Sequence, residues 1–175
     1  MNSLLNLQIC VEKIKHSENM LKIFKTSNPH TRDKLKAAFY KSKLWPEKSK
    51  IKVAYITNPD QSKITRDTVA YSQGKPDPIE ETVKNMSLSE SIKLIVTERI
   101  QPIVNLEFIF VENYRDADVR ISFNPDDGAW AYLGTDSKTY SKDEPTMNLG
   151  WFNVATVIHE FGHVLGMIHE HQNTQ

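Results

Sequence analysis

The chain has 175 residues, 39 % of them hydrophobic and 25 % charged, with Lys+Arg and Asp+Glu balanced at 22 each. That composition fits one soluble globular domain with a core of its own and excludes a disordered or fibrous chain. Zero net charge argues against nucleic acid as the main partner, the single cysteine, Cys10, excludes an intrachain disulfide, and no apolar run approaches the roughly 18 residues of a membrane span. The charge is unevenly placed. Residues 1–48 carry a net +6 and residues 49–175 a net −6, so a basic cover over an acidic body is one reading. The expected assembly is a monomer. The first ten residues lack a basic n-region and read poorly as a signal peptide.

In chain order, Leu4, Leu7, Val11, Ile14, Met20, Leu21 and Phe24 recur at helical spacing over residues 3–26. Asn28-Pro29 breaks the pattern, and Thr31 is placed to cap a second helix through Tyr40. Residues 41–50 are mostly polar around Trp45-Pro46 and read as a linker. Residues 1–48 are therefore expected to be a helical extension or pro-segment, and residues 49–175 the domain proper. Ile51–Ile56 alternates and is rich in β-formers, a strand that Asn58-Pro59 ends. Gly74, Pro76 and Pro78 mark a loop. Ser87 or Ser89 caps a helix to about Ile100, with Leu88, Ile92, Ile95 and Val96 facing inward. Leu106–Val111 predicts a buried strand and Ala117–Phe123 a third. Pro145–Leu149 is short and extended, and a helix over Phe152–Leu165 has Asn153 as its candidate cap. This order reads as an α/β layered domain with a mixed sheet.

Four of the six histidines lie between residues 159 and 171. His159 and His163 are four apart, so a helix stacks them on one face. Both imidazoles can then reach one zinc ion at about 2.0–2.1 Å. Glu160 lies beside the metal, placed to take a proton from a water held there rather than to be a ligand. Gly166 can adopt a left-handed conformation and end the helix, so the chain turns back and brings His169 in as third ligand. Three histidines leave one coordination position open, as a catalytic zinc site requires. Two other readings remain open: a helix whose histidines are core or surface groups, and a structural zinc closed by His171.

The run His159-Glu160-Phe161-Gly162-His163-Val164-Leu165-Gly166-Met167-Ile168-His169 resembles the long signature of the metzincin zinc peptidases, and Glu170 makes it more astacin-like than matrixin-like. The resemblance covers about residues 50–175. It implies a zincin-like upper subdomain, a mixed twisted sheet with an antiparallel edge strand and an active-site helix. It also implies zinc as cofactor and a metalloendopeptidase, with His159, His163 and His169 as ligands and Glu160 as general base and acid. Ala117–Phe123 resembles the edge strand, so a peptide substrate is expected along Val119–Ser122. Asn124–Gly134 resembles the loop after it, and Thr146–Trp151 the strand leading into the helix. The family continues into a lower subdomain with a Met-turn, whereas six residues follow His169, so the chain reads as cut within the domain. A zinc-binding relative without turnover, acting as a binding or regulatory protein, is the alternative; another metallohydrolase such as an amidase is a weaker one. Secretion is common in the family.

Lesser candidates complete the reading. Asp118 and Arg120 are expected as solvated rim residues, and Trp130 and Tyr132 as packing residues before substrate contacts. Asp126, Asp127, Asp136 and Asp143 suggest calcium without complete loop spacing. Cys10 reads as a small core residue rather than a latency switch.

Overall fold

The computed structural model describes residues 38–39, 41–66 and 78–168. The helices expected over residues 3–26 and most of that over 31–40 lie outside the described residues, as do the loop around Gly74 and Pro76, Cys10, His169, Glu170 and His171.

Strand β1 (Ala38–Phe39) comes first, where the spacing predicts the end of a helix. The pair is extended because it bonds to another strand, and tertiary pairing outweighs a weak local helical preference. Strand β2 (Lys50–Tyr55) follows the predicted alternation, with Ile51 and Val53 fully buried and Lys50 and Lys52 in water. After β3 (Thr65–Arg66) come helix α1 (Pro78–Val83) and helix α2 (Leu88–Ile95). Ser87 caps α2 through a complete capping box with Glu90. Asp60 adds a second cap, accepting from Leu88 N at 2.7 Å and Ser89 N at 3.2 Å. The helix then widens into a π-helical turn over Val96–Ile100.

The remaining strands are β4 (Glu107–Phe110), β5 (Val119–Ser122), β6 (Ala129–Ala131), β7 (Met147–Leu149), β8 (Trp151–Phe152) and β9 (Met167–Ile168), with helix α3 (Val154–Val164) before β9. The main sheet runs β4-β2-β5-β7-β6. Its first four strands are parallel, and β6 joins antiparallel to β7 with Trp130 opposite Asn148. The pairs β1–β9 and β3–β8 stand apart from it. The expected mixed α/β architecture with an antiparallel edge is thus the observed one.

The strand assigned to that edge is different. Val119–Ser122, expected to receive a peptide substrate, is the central strand, bonded to β2 on one side and β7 on the other. Its backbone donors and acceptors are spent inside the sheet, so it has none to offer a peptide. The antiparallel edge is β6, within the stretch read as a loop. Arg120 is correspondingly no rim residue: it is 0 % exposed. Its guanidinium donates to the carbonyls of Glu144 (2.7 Å), Ser141 (3.0 Å) and Ala117 (3.2 Å), which ties the 137–146 segment over β5. Hydrogen bonds of this kind let an arginine sit in a core. Asp118 is half-buried and accepts from Lys52 N at 3.0 Å.

The core lies between the sheet and the helices. Ile92, Ile95 and Val96 from α2 and its extension meet Val157, Phe161 and Val164 from α3 over Val53, Val119 and Ile121. Phe161 packs edge-on against Phe108 with centroids 5.5 Å apart. A buried Phe of this kind stabilises by about 3 kcal/mol. α3 is therefore anchored by one face, and its other face carries His159 and His163.

Candidate metal centre

α3 begins where its sequence predicts. Asn153 Oδ1 accepts from Thr156 N at 2.7 Å, satisfying one of the unpaired N–H groups of the first turn. The indole of Trp151 donates to Thr156 Oγ1 at 2.9 Å and fixes the entry. The core residues Val157, Phe161 and Val164 recur at 157, 161 and 164, which leaves His159 and His163 stacked one turn apart. The helix ends at Gly166, whose φ of +93° is the left-handed conformation expected of it.

The two imidazoles converge. Their rings stand at 86° with centroids 4.8 Å apart, and His159 Nε2 lies 3.1 Å from His163 Nε2. Two nitrogens bound tetrahedrally to one zinc at about 2.0–2.1 Å would be about 3.3 Å apart. The pair is therefore set at nearly the separation a shared zinc needs. His163 Nδ1 bonds to the carbonyl of Met167 at 2.7 Å, and since a carbonyl only accepts, that nitrogen carries the proton. Its Nε2 lone pair is then directed toward His159. A backbone carbonyl on the far nitrogen is the usual orienting partner of a metal-binding histidine. His159 keeps an exposed edge, and packing around the rest of its ring lowers its pKa below the ordinary imidazole value. The neutral form, the one that binds a metal, is favoured.

Glu160, between them in sequence, is 0 % exposed. A carboxylate there is shielded from bulk water. The third expected ligand, His169, is outside the described residues; β9 ends at Ile168, the residue before it. Among the described residues no group of three or more metal-binding side chains converges. The residues present fit zinc in chemistry, spacing and second-sphere bonding.

The lesser candidates fall into place. Trp130 is buried and donates to Asp127 Oδ2 at 2.8 Å, and Tyr132 stacks on Tyr140 at 3.8 Å. Burial and the Tyr140 bond push the Tyr132 phenol up to about 12. Of the four acids considered for calcium, Asp136 pairs with Lys43, Asp143 with Arg115, and Asp127 with Trp130.

Sequence reasoning missed two contributors. One is the Met167 carbonyl, which leaves no side-chain signal. The other is Trp45, whose indole donates to Val164 O at 2.7 Å at the end of α3. A large aromatic in an otherwise polar stretch is its only signal.

A family model for the astacin peptidases matches residues 83–175. Among solved structures, a crystal structure of myroilysin matches at 26 % identity over 93 % of this chain and 52 % of that one, with a TM-score of 0.49. A second structure of myroilysin matches at 30 % identity over 74 % of this chain and 46 % of that one, with a TM-score of 0.46. The chain spans about half the length of these structures. No curated protein matches.

Proposed function

The chain belongs to the astacin family of peptidases, by a match over more than half its length, and on that premise we propose that it is a zinc-dependent endopeptidase whose metal is held by His159, His163 and His169. The observation that carries the reading is the 3.1 Å approach of the two Nε2 atoms on one face of α3, with Glu160 next to His159 in the chain and buried. Zinc, when bound, supplies Lewis acidity toward the scissile carbonyl and toward water. Glu160 takes a proton from the attacking water as its oxygen bonds to the carbonyl carbon. It then delivers that proton to the leaving nitrogen as the C–N bond breaks, giving a carboxylic acid and an amine, and the acid's remaining proton passes to the amine to leave a carboxylate and an ammonium group. Burial of Glu160 supports this role, since it keeps the carboxylate out of bulk water. His163 is held in one tautomer by Met167 O, which spares it from reorienting.

The substrate class is a peptide or an unfolded protein, lying along β6. That strand bonds to β7 on one side, no further strand covers it among the described residues, and α3 packs beside it. Strand addition there would place an extended peptide next to the histidine pair.

The test is digestion of an unfolded protein by the full chain with one equivalent of zinc, beside Glu160→Gln. Cleavage should fall at least about 100-fold in the variant, the loss usual for a general base, with zinc binding retained. Equal cleavage by both would overturn the role of Glu160. No cleavage by either would leave a zinc-binding relative without turnover.

A further inference from the structure

The stretch around Trp45, part of residues 41–50 read from their composition as a linker, and β1 just before it touch the far end of the candidate metal centre at successive points. β1 pairs antiparallel with β9, Phe39 opposite Met167 and Ala38 opposite Ile168. Met167 is the residue whose carbonyl holds His163 Nδ1. Leu44 lies over Gly166, so closely that a Cβ there would stand 2.9 Å from Leu44 Cδ2. Trp45, buried, donates to the carbonyl of Val164, one of the last four of α3 and so lacking a partner within the helix. Lys43 anchors the same segment from the other side. Its ammonium reaches Asp136 Oδ1 at 2.5 Å, and its carbonyl lies where a Cβ on Gly134 would be, at 1.9 Å. Lys138 Nζ closes over the Trp45 ring at 4.9 Å.

These contacts fall on Val164, Gly166, Met167 and Ile168, the stretch of chain between the second histidine and the position of the third. We propose that residues 38–39 and 41–45 are a positioning clamp for the metal centre. By fixing the end of α3 and the strand after it, they hold the Met167 carbonyl on His163. Trp45 and Leu44 are its positioning residues. Neither touches the metal or a substrate; each acts through backbone that does orient a ligand. The inference rests on the zinc-peptidase reading for its consequence but not for its geometry.

The test uses the full chain with two variants. Trp45→Phe keeps an aromatic ring and removes the indole N–H. Leu44→Ala removes the half-buried contact over Gly166 and serves if Trp45→Phe does not fold. Two readouts are taken: zinc affinity by competition with a chelator, and the His163 tautomer in the metal-free chain from its ring ¹⁵N shifts. The expected result is a loss of affinity of about tenfold in Trp45→Phe, the lower end for second-sphere changes, and a smaller loss in Leu44→Ala. The wild type should show His163 protonated at Nδ1, and the variants a mixture of tautomers. Wild-type affinity and an unmixed tautomer in both variants would overturn the clamp. So would a lowered melting temperature with neither readout moved, because that is a merely structural role. Failure of the wild type itself to bind zinc would refute the peptidase reading, while the tautomer comparison would still decide the clamp.

Discussion

Asn148 organises the approach to the proposed substrate edge, and its removal has a cost that follows from its bonds. The side chain is 0 % exposed. Its Oδ1 accepts from Ser122 Oγ at 2.8 Å and Asn124 N at 2.9 Å, and its Nδ2 donates to Asn124 O at 2.9 Å and Gly128 O at 2.5 Å. Asn148→Ala breaks all four, but the consequences differ. Gly128 O keeps Gly150 N as donor at 3.0 Å, and Ser122 Oγ keeps Met147 O at 3.2 Å. The group left without its partner is the N–H of Asn124, because Asn124 O keeps Asp127 N as donor at 3.3 Å. An orphaned buried backbone group costs about 1–3 kcal/mol, and water can reach part of this loop, so about 1–2 kcal/mol is expected. That corresponds to a fall in Tm of about 2–8 °C for a domain of this size. Urea unfolding should show a lower midpoint at unchanged slope. Because the 124–128 turn delivers β6, KM for a peptide should rise while zinc affinity holds. A loss below about 0.5 kcal/mol, the scatter of ordinary surface changes, would refute this account of the turn. Asn148→Asp sharpens the test. A carboxylate facing two carbonyls has its folded pKa raised above the unfolded value, so that variant should be more stable near pH 4 than at pH 7.

Other outcomes follow from the same contacts. Gly166→Ala forces a side chain into φ +93° against Leu44, and should cost about 1–2 kcal/mol by denaturant unfolding. Asp60 caps α2. Burial alone would raise its pKa, but bonds from Ser89 and Leu88 and the charge of Arg66 outweigh it and hold the carboxyl below its ordinary value. Stability from this cap should therefore be complete above about pH 4 and be lost on further acidification, a dependence that Asp60→Asn should lack. Chelation should leave the chain folded by circular dichroism, because Val157, Phe161 and Val164 anchor α3 without any metal. Global unfolding on chelation would instead support a structural zinc.

The sequence reads most clearly where local periodicity and burial agree. β2 and α2 follow from spacing, with Ser87 rather than Ser89 of the two candidate caps the one used, and α3 follows with its Asn153 cap and the Gly166 stop. The histidine pair is legible because helical geometry is fixed: a separation of four residues is a position in space. Arg120 misleads because alternation assigns it to the solvent face, and only the 137–146 segment folding over β5 makes that face interior. The edge strand misleads for a related reason. Strand order in a sheet is a long-range property, and nothing within 119–122 reveals that β7 will pair beside it. β6 is hidden by its shortness and its flanking Asn-Pro-Asp-Asp-Gly run. Trp45 is hidden because its partner is a backbone carbonyl 119 residues away.

The measurement that bears most directly on the whole account is a zinc titration of the full chain by isothermal calorimetry, beside His163→Ala and Glu160→Gln. The account predicts one zinc per chain, an affinity lost by at least about 100-fold in His163→Ala as expected when a ligand is removed, and an affinity close to wild type in Glu160→Gln. A wild-type chain that takes up no zinc, or a His163→Ala variant that binds it as tightly as the wild type, would contradict it.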